Sequence, residues 1–229
     1  MCVNYYARFK FVINLLPLIT AAAHSGSIAR VLSVFGAGSE GTVYTDDLDL
    51  KHNYTLHACL AHCVLMTDFM VEELAKNNPD VSFMHSYPGS VKSGVTNELT
   101  GAVRLAIKVL YAVSSKWLLQ VQESGERHLF QMTSSIYPAR NGSIGILPNA
   151  DLNVCMGSDG TRASGAYLLD WDGQATGDTE LLQKHRQEGF GATVWNHTFD
   201  IFRRAMTQKR SREDGDEPPA RIPPGWRAG

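Results

Sequence analysis

The segments RVLSVFGAG, residues 30–38, and VSFMHSYPGS, residues 81–90, decide the fold of this chain. Each is a short apolar run with β-branched side chains that stops at glycine or proline, the pattern of a buried strand. Between them, from about residue 54 to 77, apolar residues recur at helical spacing, and the run closes at Lys76-Asn77-Asn78-Pro79. A strand, a long helix and a second strand predict a βαβ unit, which requires a parallel sheet.

The flanking sequence continues the alternation of helices and strands. A helical pattern covers residues 3–23 ahead of the unit, and GAYLLDW at 165–171 predicts a third strand. Asp178 is a suitable helix cap. The last stretch, from Lys209, is charged and proline-rich, which predicts disorder for 209–229. Four more helices are predicted at 100–121, 123–134, 178–188 and 191–208.

Composition is that of an ordinary globular protein and not of a nucleic-acid binder. Hydrophobic residues make up 44% and charged residues 19%, with a formal net charge of −2. The four cysteines, at 2, 59, 63 and 155, form no CxxC pair and no finger-type spacing with histidine. We therefore predict no metal site, no disulfide framework and a reducing, cytoplasmic location.

The first 25 residues have a second interpretation. Two basic residues precede the apolar run at 11–18, and small residues follow at 21–23, as in a secretory signal peptide cleaved near His24. Asn14 and Pro17 interrupt the run, and a buried helix explains the same residues. Nothing reaches the ~20 uninterrupted apolar residues of a membrane span, so no transmembrane segment is predicted.

Three landmarks resemble the short-chain dehydrogenase/reductase family in its fungal branch. Asn4 stands thirteen residues before Pro17, the strand at 30–34 enters a Gly/Ser loop, and Pro88-Gly89-Ser90-Val91-Lys92-Ser93 is similar to that family's PGxVxT. The wordings YYxRxxFxxNLLPL, ESGERHLFQMTSSIYP and GAYLLDW extend the resemblance over residues 1–208.

The resemblance implies an α/β fold, an incomplete Rossmann-type doubly wound parallel sheet holding the C-terminal strands and helices only. Residues 1–208 would form a partial domain, truncated at its N-terminus by three or four βα units of ~30 residues. Those units would carry the glycine-rich turn that binds cofactor phosphates. The strand at 30–35 would then be an exposed edge, open to self-association.

In that family a tyrosine transfers the substrate proton, a lysine four residues later favours its phenolate, a serine holds the carbonyl, and an asparagine fixes a water. Tyrosine, with a pKa near 10, needs such a cation at neutral pH. Counted without gaps, these positions fall on Leu56, Leu60, Gly36 and Asn4. Only the asparagine is retained, so ordinary ketone reduction should be lost.

Two alternatives stay open at this site. A shift of the count by two residues makes Tyr54 the proton donor, with His57 or His62 as an unconventional cation or base. The turn at Pro88, Gly89, Val91 and Ser93 would meet the carboxamide of NADP or NAD, or it merely ends a strand.

Two functions follow from the resemblance. The first is an oxidoreductase homologue that acts with NADP or NAD on a carbonyl or alcohol of a small lipophilic metabolite in fungal secondary metabolism. The second is a catalytically inactive remnant, or an interaction module, of the same ancestry.

Overall fold

A computed structural model describes residues 1–91, 118–142 and 154–213, with side chains up to residue 207. The predicted helix at 100–121 lies almost entirely outside these ranges. The described elements are α1 (Ala7–His24, entered through a π-helical turn at Cys2–Tyr6), β1 (Arg30–Val34), α2 (Leu56–Asn77), β2 (Ser82–Ser86), α3 (Val121–Thr133), β3 (Ala166–Leu169), α4 (Thr179–Gln187) and α5 (Phe190–Glu213).

The three described strands form one parallel sheet in the order β1-β2-β3. Val31 pairs with Phe83, and Phe83 pairs with Ala166. The predicted α/β fold with a parallel sheet is therefore confirmed. In the described part of the chain β1 has a neighbour on one side only, so its other edge is open.

Helices cover both faces of the sheet. On one face α1, α2, α4 and α5 share a large apolar core, which includes Phe9, Leu65, Met70, Phe83 and Leu168. The opposite face carries a smaller cluster that packs beneath α3; its fully buried members are Met84, Tyr137, Tyr167 and Leu169. This two-sided cover is the arrangement that an all-parallel sheet requires.

The central helix, α2, is buried along most of its length. The Thr55 hydroxyl accepts a hydrogen bond from the backbone N–H of Ala58 and caps its start. Asn78 and the following Pro79 end it. Two charged residues, Asp68 and Glu72, are buried on this helix as well, which its apolar periodicity did not predict.

The first helix is apolar on two faces. Tyr5, Phe9 and Leu16 are buried in the core, whereas Phe11 is 66% and Leu18 70% exposed. By length and composition alone, the stretch Cys2–His24 is the one described helix that could cross a membrane, a test that core helices and signal sequences also pass.

The last helix is longer than predicted. It continues to Glu213, so its final residues lie within the segment for which the sequence predicts disorder. Residues 214–229 lie outside the described ranges.

Candidate functional site

The start of α1 meets the end of β1 and the start of α2. Arg8 donates from Nη1 to the carbonyl of Val34 at 2.7 Å, and its guanidinium lies 5.3 Å from the centroid of the Phe35 ring. The amino group of Met1 donates to Sγ of Cys59 on α2 at 3.3 Å. We call the surface formed by these three chain segments the carboxyl-end surface. In parallel α/β sheets, ligands bind beyond the carboxyl ends of the strands.

The positions that should hold proton donor, cation and hydroxyl lie at this surface. Leu56 is 70% and Leu60 43% exposed, on the first two turns of α2. Gly36 lies two residues after the end of β1. Asn4 is partly exposed, and its side chain makes no hydrogen bond with another described residue. The positions that the gapless count assigns to the acid/base groups thus carry aliphatic side chains and bare backbone.

The alternative proton donors differ in their surroundings. Tyr54 is 63% exposed, and His57 is exposed too; neither side chain has a hydrogen bond or ion pair to the described part of the chain. His62, in contrast, is fully buried, and its Nε2 accepts from the backbone N–H of Tyr44 at 2.9 Å. Burial lowers the pKa of His62. Its ring is a structural acceptor that holds the loop before α2.

That loop is organised by one carboxylate. Asp47 accepts hydrogen bonds from the backbone N–H groups of Lys51, His52 and Asn53, and from the Asn53 side chain, all between 2.8 and 3.0 Å. Burial alone would raise the pKa of Asp47, but these donors outweigh it and lower the pKa to about 2. The ionised Asp47 carboxylate thus holds in place the loop segment that leads to Tyr54.

A second thiol lies deeper in α2, below this surface. Cys63 is fully buried one turn after Cys59, and burial, then the charge of Cys59, raises its pKa to about 12. All four cysteines are free. Cys59 and Cys63 therefore pack the helix, as small apolar residues do.

The glycine run after β1 is explained by packing. A Cβ at Gly36 would lie 3.0 Å from Val64, at Gly38 2.5 Å from Thr176, and at Gly41 3.1 Å from Ala61. The chain then continues to Thr55 before a helix begins. Since phosphate loops open directly into a helix N-terminus, these residues form no phosphate cradle.

The Pro88 turn is also closely packed. Gly89 has a φ of +75°, and a Cβ there would lie 2.6 Å from Cδ1 of Leu119 and 3.0 Å from Cβ of Trp171. Val91 forms a parallel bridge with Leu119. Ser93 lies outside the described residues. Packing accounts for this glycine, so the turn gives no independent sign of a nicotinamide carboxamide.

A cleft of about 400 Å³ opens beside this turn, between α3 and the loop after β3. Its lining is mostly charged: Glu123, Glu126, Arg127, Phe130, Asp172 and Gly173. Arg127 donates to Glu123 at 2.7 Å, and its guanidinium carbon lies 4.5 Å from the ring centroid of Trp171.

Comparison with known proteins identifies relatives of the whole chain. The sequence is 39% identical over 207 residues to oxidoreductase AN1596 of Emericella nidulans, covering 89% of this chain and 61% of the relative. It is 30% identical to the NmrA-like family domain-containing oxidoreductase notO of an Aspergillus species, covering 95% and 61%. It is 25% identical to the short-chain dehydrogenase/reductase SAT2 of Stachybotrys chartarum, covering 85% and 55%.

Over most of its length the chain is similar to fungal oxidoreductases of the short-chain dehydrogenase/reductase and NmrA-like kinds. It spans about three fifths of the length of the curated relatives it matches. No family model matches the sequence, and no solved structure does. The resemblance inferred from Asn4, the strand at 30–34 and the Pro88 turn is therefore confirmed at the level of the family.

One residue of the carboxyl-end surface, Arg8, was not predicted as a site residue. From the sequence it was considered only as a basic residue of a signal-like segment and as part of the motif YYxRxxFxxNLLPL. It lies one helical turn after Asn4, and no described carboxylate pairs with it. The four-residue spacing from Asn4 was the available signal, because residues at i and i+4 share a helix face.

Proposed function

We propose that this chain is part of an oxidoreductase that uses NADP or NAD to reduce a carbonyl, or oxidise an alcohol, on a small lipophilic metabolite of fungal secondary metabolism. The observation that carries this proposal is that the start of α1, the end of β1 and the beginning of α2 meet at the carboxyl end of a parallel sheet. Such ends are where doubly wound folds bind their ligands. The names of the relatives supply the reaction class.

The residues that the gapless count places at the family's catalytic positions cannot transfer a proton. A leucine holds no transferable proton, and Gly36 has no hydroxyl. If the chain is active, Tyr54 is the proton donor that we propose, with His57 as the adjacent base and Asn4 as the hydrogen-bonding group. The exposed Tyr54 phenol would need a nearby cation to ionise at neutral pH.

The described residues provide no cradle for cofactor phosphates. The cleft between α3 and the loop after β3 is the place we propose for a part of the substrate that lies away from the reacting carbonyl. Its charged lining and the single ring of Phe130 suit a substrate that carries polar groups as well as an apolar body.

An interaction module is the second candidate. It is favoured by the open edge of β1, all of whose residues are partly exposed, and by the exposed apolar side chains of Phe11, Leu18 and Leu56. Unpaired strand edges and contiguous apolar surface promote association. We propose self-association through this edge, in the reducing cytoplasm where four free thiols are stable.

Fluorescence titration of the full chain with NADPH and NADH separates the two functions. Trp171 packs against Gly89 and should report a cofactor at the Pro88 turn. Saturable quenching that disappears in Trp171→Phe supports cofactor binding there. Absence of quenching, together with a molar mass that rises with protein concentration, supports the interaction module.

Turnover tests the proposed donor. If Tyr54 transfers the proton, Tyr54→Phe should abolish reduction of a carbonyl substrate while NADPH still binds. Tyr44→Phe is the matched control, because Tyr44 is an exposed tyrosine of the same loop. Equal activity in both variants would exclude Tyr54 as the donor.

A further inference from the structure

A chain of buried polar contacts runs beneath the carboxyl-end surface. The backbone N–H of Gly36 donates to Nε2 of His85 at 3.0 Å. The other ring nitrogen, Nδ1, lies 2.5 Å from Oδ1 of Asp68, and both side chains are fully buried. Because Nε2 is an acceptor, the ring proton is on Nδ1 and is donated to Asp68. Burial and the charge of Arg8 lower the pKa of His85 to about 3, so this contact is a neutral hydrogen bond and not an ion pair.

The second oxygen of Asp68, Oδ2, is a buried atom without a hydrogen-bond donor among the described residues. The Glu40 carboxyl lies within hydrogen-bonding reach of Asp68. Glu40 itself accepts from the backbone N–H of Gly38 at 2.8 Å and of Asp178 at 3.0 Å. Two ionised carboxylates in this position would repel each other, and the Asp68 carboxylate is shielded from water.

We infer that Asp68 keeps a proton at neutral pH and donates it from Oδ2 to Glu40, forming a latch that holds the loop Gly36–Gly41 and the cap of α4 to the buried centre of the sheet. The shared proton satisfies Oδ2 and removes the repulsion. The latch then runs without interruption from His85 on β2, through Asp68 on α2, to Glu40 in the loop.

The charged groups around Asp68 agree with this assignment. Burial, and then the charges of Glu40 and Glu72, raise the pKa of Asp68 well above its ordinary value of 3.8. Arg186 on α4 acts in the opposite direction, but it is engaged by Glu72 at 2.8 Å. Arg8 on α1 is the remaining cation near His85.

The latch makes the loop that carries Gly36 sensitive to pH. When Asp68 ionises, two like charges face each other and the contact with Glu40 is lost. Between 3.8 and the raised native pKa, the folded chain binds more protons than the unfolded chain, so stability falls as pH rises through that window. This property is independent of whether the chain is an active oxidoreductase.

Urea unfolding of the full chain over a series of pH values tests the latch. In Asp68→Asn the side-chain amide can donate to Glu40 and its oxygen can accept from His85, so both contacts survive at every pH. Relative to this variant, the wild-type unfolding constant should rise by up to tenfold per pH unit within the window. Asp46→Asn, a change at an exposed residue just beyond the latched loop, should follow the wild type. Parallel pH profiles for wild type and Asp68→Asn would overturn the inference.

Measurements on the wild-type protein keep the inference testable if the variant does not fold. The infrared spectrum at neutral pH should contain the carbonyl stretching band of a protonated carboxylic acid, and alkali should remove it. Nitrogen NMR should place the His85 proton on Nδ1. A spectrum without the carboxylic acid band, or a doubly protonated His85 ring, would show that Asp68 is ionised.

Discussion

The phenolic hydroxyl of Tyr5 lies 2.7 Å from the hydroxyl of Thr198, across 193 residues of sequence. Thr198 donates its own proton to the carbonyl of Val194, so Tyr5 is the donor in the pair. Both side chains are fully buried, and burial raises the pKa of Tyr5. This bond joins α5 to the π-helical turn that carries Asn4.

Tyr5→Phe should therefore lower the free energy of unfolding by about 1 kcal/mol, the net contribution of one hydrogen bond. Urea denaturation measures it. The same change at the half-exposed Tyr44, whose hydroxyl has no described partner, should be neutral. Equal effects at the two positions would mean that the bond to Thr198 contributes nothing.

Restoring a serine at Gly36 should be destabilising. Its Cβ would lie 3.0 Å from Cγ2 of Val64, which is itself buried in α2. Overpacking of this kind costs about 1–3 kcal/mol. Val64→Ala should relieve the contact, so that Gly36→Ser costs less in the Val64→Ala background than alone. A double-mutant cycle measures this coupling, and strict additivity would contradict the predicted contact.

Gly89→Ala should destabilise the chain more than Gly26→Ala. Both glycines have a left-handed φ, at +75° and +81°, which costs an L-residue about 1–2 kcal/mol. A Cβ at Gly26 would meet nothing within 4 Å, whereas one at Gly89 would overlap Leu119. The difference in denaturation midpoint between the two variants isolates the packing contribution. No difference would mean that Leu119 moves aside freely.

Among the basic residues of the described chain, Arg186 is the one whose replacement we expect to lower stability most. Its guanidinium makes two-pronged contacts with Glu72, which is 3% exposed, and donates to the carbonyl of Ser158. Arg186→Met leaves an unpaired buried carboxylate and should cost about 3–5 kcal/mol. Arg203→Met, at an exposed pair with Asp200, should change stability by less than about 0.5 kcal/mol. Thermal unfolding compares the two.

Asp47→Ala should weaken the loop before α2 in a pH-dependent way. The pKa of Asp47 is lowered to about 2, so its ionised form stabilises the folded chain above the ordinary value near 4. The difference in unfolding midpoint between wild type and variant should be largest at neutral pH and should decrease as pH falls from about 4 to 2. A gap that is constant over this range would show that the carboxylate charge is not involved.

Sequence patterns were sufficient for the main architecture of this protein. The apolar runs at 30–35 and 81–87 and the helical spacing between them gave the correct βαβ unit, because burial on a parallel sheet leaves a local signature. The register of Val31 with Phe83 could not be read from these runs, since every residue of β2 is buried and no alternation marks its faces.

The latch could not be predicted from sequence patterns, for a different reason. His85, Asp68 and Glu40 come from a strand, a helix and a loop, so no local spacing relates them. Similarly, the glycines after β1 resembled a possible phosphate loop until the side chains of Val64, Thr176 and Ala61 were placed beside them.

Because every strand pair in the described sheet is parallel, no hairpin can begin its assembly. The partners in β1 and β2 are separated by some fifty residues, and those in β2 and β3 by more than eighty. These long loops must close, at a cost in chain entropy, before the paired strands can form their hydrogen bonds. This cost slows folding to the native topology. The chain should therefore refold on the slow side for its size, with α2 forming ahead of the sheet, and its open strand should be vulnerable to misassembly during that interval.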